Sequence, residues 1–132
     1  MTRVVFDASA VIIFLANQPG AAEIELLLDA AVKGTAELFL SVINWGEIYY
    51  SIWQKNGPAA AAQALAEIAR MPIEIVPVDL TITRQAAEYK ARDKLPYADA
   101  FVAALATLRD AEVVTKDADF RRVSHLISVQ FL

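Results

Sequence analysis

Cysteine is absent from the chain, which excludes disulfides and thiolate-ligated metal centres. One histidine, His125, leaves no imidazole cluster for a transition metal. A Ser-His-Asp triad on Ser9 or Ser124 lacks support: Ser124 is adjacent to His125 in sequence, and no nucleophile elbow is visible. Neither a G-x-G-x-x-G nor a P-loop is present, so no nucleotide cofactor is expected. No apolar run approaches the ~18 residues of a membrane-spanning helix. Arg3 and the apolar residues after it imitate a targeting segment weakly, but Asp7 interrupts them and no small-residue cleavage site follows. A cytoplasmic location is expected. The formal net charge of −4 argues against a protein held on nucleic acid by a broad basic face, and by itself mild acidity speaks only of solubility. Internal repeats, low-complexity tracts and linkers are missing too.

What is present is apolar. Hydrophobic residues make up 57% of the 132, above the usual ~45–50%, and the excess suggests surface reserved for another protein chain. The length fits a single domain over residues 1–132. Strand-like and helix-like segments alternate. Residues 3–6 (RVVF), 37–42, 73–78, 112–115 (EVVT) and 127–131 read as strands, with Pro77 confining the third to an edge or an end. Residues 9–16, 21–33, 43–55, 59–70, 80–93 and 96–108 read as helices. Such alternation implies an α/β fold with right-handed crossovers and a mostly parallel sheet of four to five strands. Ligands then bind beyond the carboxyl ends of the strands.

Four acids interrupt this pattern. Asp7 ends the first strand, and Asp117 follows the strand EVVT, with Asp119 two residues on. Glu47 lies inside NWGEIYYSIW and Asp99 inside PYADAFVAALA. Each has an ordinary explanation: Asp7 or Ser9, and Ser41 or Asn44, as helix caps; Asp99 in a first helical turn; Asp117 and Asp119 as turn residues. All four together, in apolar surroundings, suggest convergence. Two carboxylates 4 Å apart repel by about 4 kcal/mol at an effective dielectric near 20, so a cluster needs protons or a cation. All-oxygen ligands without His or Cys suit Mg²⁺ or Mn²⁺.

With these acids in order, the chain resembles a PIN-domain ribonuclease of the VapC toxin type. The resemblance rests on VVFDASAVI, SVINWGEIYYSI, LPYADAFVAALA and VVTKDADF, and it spans nearly the whole chain. It implies three layers, α/β/α, and an endoribonuclease that hydrolyses phosphodiester bonds through a metal-activated water. It also implies a homodimer and a cognate antitoxin. The catalytic acids would be Asp7, Glu47, Asp99 and Asp117, with Asp7, Asp99 and Asp117 on the ion. Glu47 and Asp119 are further candidates through water or a second ion, and Ser9 and Thr115 would support the acids. The segment YKARDKLPYADAF departs from the family by lacking the glycine or histidine often found there. Lys90, Arg92, Lys94, Lys116, Arg121 and Arg122 flank two of the acids and are candidates to hold RNA phosphates. Two other functions remain open: an aspartate-nucleophile phosphatase, although Ser9 stands where such enzymes carry a second acid, and a catalytically silent PIN-like protein-binding module.

Overall fold

The structure is a computed structural model describing residues 1–132. Its sheet is wholly parallel, with five strands in the order β3-β2-β1-β4-β5. The strands are β1 (Thr2–Phe6), β2 (Ala36–Ser41), β3 (Glu74–Val76), β4 (Glu112–Thr115) and β5 (Val129–Phe131). Between β1 and β2 lie α1 (Ala8–Leu15) and α2 (Ala21–Val32); between β2 and β3 lie α3 (Val42–Asn56) and α4 (Pro58–Ala69). Helices α5 (Leu80–Asp93) and α6 (Tyr97–Arg109) lead to β4, and a 3-10 helix over Ala118–Val123 leads to β5.

Strand residues alternate between two cores because successive side chains point to opposite faces. Val4, Phe6, Leu38, Leu40 and Val114 pack with α1, α2, Ile48 of α3 and Ile68 of α4. Val5, Phe39, Val76 and Val113 pack with α5, α6 and Phe120 of the 3-10 helix. Both faces of the sheet are therefore covered, which is why the strands read as near-continuous apolar runs. The third strand stops at Val76, short of the expected 73–78, because Pro77 cannot donate to the ladder. It lies at the sheet edge, where a proline does least harm.

Chain direction through the sheet sets the position of the site. From β1 the chain runs outward through β2 to β3, then returns to β4 on the other side of β1. Connections leave β1 and β4 in opposite directions, so a crevice opens beyond their carboxyl ends, at the topological switch point. Phe6 pairs with Val114, which brings Asp7 beside Thr115.

Candidate active site

Asp7 is the N-cap of α1: its Oδ1 accepts from the backbone N–H of Ala10 at 3.0 Å. The same oxygen accepts from Ser9 Oγ at 2.7 Å, and Oδ2 accepts from Thr115 Oγ1 at 2.5 Å. The two hydroxyls are relays as well as donors. Ser9 Oγ accepts from the backbone N–H of Lys116 at 3.0 Å, and Thr115 Oγ1 accepts from that of Asp117 at 2.8 Å. A closed polar network thus joins the end of β1 to the end of β4. Asp7, only 3% exposed, sits at its centre.

Asp117 caps the 3-10 helix, its Oδ1 accepting from the backbone N–H of Asp119 at 2.9 Å. This turn brings Asp119 back toward α6, whose first turn carries the buried Asp99. Carboxylate oxygens of Asp99, Asp117 and Asp119 lie within 4.8 Å of one another. Asp7 is outside this trio, with both oxygens already hydrogen-bonded. Of the ion ligands expected from sequence, the trio contains Asp99 and Asp117, with Asp119 as its third member.

Glu47 projects from α3, half-buried. Asn44, one turn earlier, donates from Nδ2 to Glu47 Oε1 at 2.7 Å. Asn44 is fully buried and its Oδ1 has no partner. Ser41, rather than Asn44, caps α3. The sequence offered Asn44 as a cap with Glu47 in a box-like position three residues on; the pair does meet, but side chain to side chain, as the i, i+3 spacing on a helix allows.

The acids feel one another. Burial is the main cause that holds the carboxyls of Asp7, Glu47 and Asp99 above their ordinary range. For Asp7 the three hydrogen bonds oppose it and the charge of Asp117 adds to it. For Glu47 the Asn44 amide opposes it, while Asp7 and Asp117 add. Asp99 is pushed up to about 8 by burial, then by the charge of Asp117 and a hydrogen bond with it, then by Asp7 and Glu47. A carboxyl that protonated holds a position a cation would take. The donor set is oxygen alone, which fits a hard divalent ion.

The six cations named from sequence behave differently from one another. Arg92 lies 2.9 Å from Asp93 and stacks over Tyr89 at 5.3 Å. Arg121 stacks over Phe131 at 5.8 Å. Arg122 donates to the backbone carbonyl of Lys94 and pairs loosely with Asp119. Lys90, Lys94 and Lys116 are exposed and enter no ion pair.

Two alternative chemistries fit poorly. A phosphatase of this kind carries a second acid two residues after its nucleophile, and Ser9 stands there, donating to Asp7 Oδ1. For a triad, Ser124 Oγ would have to face His125, but it donates to the backbone of Arg121.

No curated protein sequence matches the chain. Among solved structures, VapBC2 from Rickettsia felis, bound to a DNA fragment from its promoter, superposes with a TM-score of 0.78 at 15% identity, covering 98% of each chain. DNA-bound VapBC from Salmonella typhimurium gives 0.78 at 18% identity, covering 99% of this chain and 98% of that one. Mycobacterium tuberculosis VapC20, described as a sarcin-ricin loop cleaving toxin, gives 0.69 at 18% identity over 89% and 92%. At these identities the likeness establishes the fold. The PIN domain family pattern matches residues 4–126, which contain all five clustered acids. On that match, together with the parallel sheet whose switch point carries them, the chain belongs to the PIN domain family.

Proposed function

We propose that residues 1–132 form a single nuclease unit, a divalent-cation-dependent endoribonuclease that serves as the toxin of a toxin–antitoxin pair. The observation that carries this reading is the meeting of Asp7, Glu47, Asp99 and Asp117 at the switch point, with Asp99 raised to about 8 by burial and by the other three. Resemblance to solved toxin–antitoxin assemblies supports the biological role. The description of VapC20 as a sarcin-ricin loop cleaving toxin supports RNA as the substrate.

In this reading Asp99, Asp117 and Asp119 hold the ion, Mg²⁺ or Mn²⁺, and Asp7 adds its charge from behind a fixed hydrogen-bond network. Such an ion, when bound, makes water more acidic and offsets charge on phosphoryl oxygens. Glu47, oriented by Asn44, accepts the proton of the attacking water. Lys90, Lys94 and Lys116 hold neighbouring phosphates, with Arg92 and Arg121 at the margin. Water rather than the substrate's own 2′ hydroxyl is the nucleophile, so the products are a 5′ phosphate and a 3′ hydroxyl. Asp7, through Ser9 and Thr115, keeps the two acid-bearing strand ends in register. Most of the catalysis is positioning and charge stabilisation.

A protein partner has apolar surface available. Tyr50, Trp53, Leu80 and Tyr97 are exposed. A groove between α1, α3 and α4, lined by Ile12, Leu15, Ile52 and Ala64, carries none of the acids. These surfaces support an antitoxin and a second copy of the chain as partners. No helix is long and apolar enough to cross a membrane.

The deciding experiment incubates total RNA with the purified chain, with and without Mn²⁺, and sequences the cut ends. Metal-dependent cuts bearing 5′ phosphates, abolished by EDTA, are the expected result. Uncut RNA under every condition would reduce the chain to a binding module.

A further inference from the structure

Arg122 stands out among the six cations because it bridges two segments that each carry an acid of the trio. It lies in the 3-10 helix, three residues after Asp119, and its Nη2 is 3.9 Å from Asp119 Oδ1. Its Nη1 donates to the backbone carbonyl of Lys94 at 2.7 Å. Lys94 ends α5 in the left-handed region, with a φ of 58°, a conformation that side-chain-bearing residues adopt only when their surroundings hold them. Two residues later Pro96 is the N-cap of α6, and its carbonyl accepts from the backbone N–H of Ala100 at 2.9 Å. Asp99 lies in that first turn. Leu95, fully buried, anchors the intervening loop. One guanidinium therefore connects the Asp119 arm of the cluster to the Asp99 arm.

We propose that Arg122 is a positioning residue that sets the separation of Asp99 and Asp119 by tying the 3-10 helix to the Lys94–Pro96 loop, rather than a phosphate-binding residue. The inference rests on the reading of the trio as a cation site. A planar guanidinium suits the task because its fixed fork reaches two acceptors at once. Its contact with Asp119 is long, while its contact with Lys94 is short, so the main tie runs to the backbone. Charge and geometry make opposite predictions. A cation beside Asp119 repels a divalent ion, so removing its charge alone tightens ion binding. Removing the strut lets the two arms separate and weakens it.

The test titrates the full chain with Mn²⁺ alone at fixed ionic strength, following free Mn²⁺ by its EPR signal. Arg122→Met, which removes both charge and donors, is expected to weaken Mn²⁺ binding at least about fivefold. Arg122→Lys, which keeps the charge and a donor long enough to reach the Lys94 carbonyl, is expected to stay close to wild-type affinity. Circular dichroism checks that each variant is folded. If the Met chain does not fold, Arg122→Gln, whose amide is too short to reach the Lys94 carbonyl, carries the test. It lacks both the charge and the strut, and binding weaker than wild type is expected. Wild-type or tighter binding by Arg122→Met, or by Arg122→Gln in its place, overturns the proposal. So does a loss confined to RNA affinity with the salt slope reduced by about one, the mark of a phosphate contact. A wild-type chain that binds no Mn²⁺ sinks the cation-site reading and this inference together; a wild-type chain that binds while the Met variant binds equally sinks the inference alone.

Discussion

Asp7 accepts a hydrogen bond from Ala10 as a helix cap and two more from hydroxyls at the site, so its variants separate charge from scaffold. Asparagine is as good an N-cap as aspartate, so Asp7→Asn should keep the fold while lowering RNA cleavage at least about a hundredfold; cleavage rates beside a circular dichroism spectrum check both halves. Thr115→Val acts on stability. It removes the donor to Asp7 Oδ2 and the acceptor for the Asp117 N–H, and a buried polar group left unpaired costs about 1–3 kcal/mol. Urea unfolding of the variant would show this as a lower midpoint. Asn44 should behave in the opposite way. Its Oδ1 is already unpaired in a fully buried position, so Asn44→Leu removes an existing cost and should leave the urea midpoint unchanged or raised. The same change takes the amide donor from Glu47, and kcat is expected to fall about tenfold, ~1.4 kcal/mol, with KM little changed. Asp7, Asp99 and Asp117 were legible in the sequence because a charge within an apolar run is conspicuous. The contacts of Arg122 were not, since a cation near an acid reads as a phosphate ligand or as solvated surface until its partner in space is known.

Helix α6 lies deepest in the molecule, with Asp99 through Ala106 all buried. Its alanines allow α5 and the strands to approach. Ala103, with no exposed surface, leaves no room for a larger side chain. Ala103→Leu should destabilise the chain by about 1–3 kcal/mol, read from urea unfolding. Elements of this kind were visible in the sequence because apolar periodicity and capping residues mark them locally. The helix expected over residues 80–93 forms over those residues, as does the strand over 112–115. The 3-10 helix was not foreseen. Its six residues are too short for a periodic signal, and Asp117 and Asp119 read equally well as a turn. Strand order, which decides whether Asp7 and Asp117 meet, is set by packing between distant segments and leaves no local trace.

Across the whole molecule, the acids make stability depend on pH in a definite sense. The Asp99 carboxyl moves from an ordinary 3.8 to about 8 on folding, so between those values the folded chain binds more protons than the unfolded one. Stability of the metal-free protein should therefore fall as pH rises through this window, by at most about 1.4 kcal/mol per pH unit for one proton, and level off above it. Asp7 and Glu47, also raised, act in the same direction. Thermal melts in EDTA from pH 4 to 9 should show the decline, Asp99→Asn should flatten it, and added Mn²⁺ should reverse it at the alkaline end. A melting temperature that climbs toward pH 8 without metal would contradict the clustering of the acids.

The centre draws its side chains from α1's cap, α3, α6 and the turn after β4, so it is complete only when the last of these has been synthesised and docked. A nascent chain that has emerged only as far as α6 has the scaffold of β1 and β2 without Thr115, Asp117 or Asp119. For a protein proposed to attack RNA, this order of assembly is a built-in delay. Any cleavage by the proposed centre has to wait until synthesis has passed Asp119.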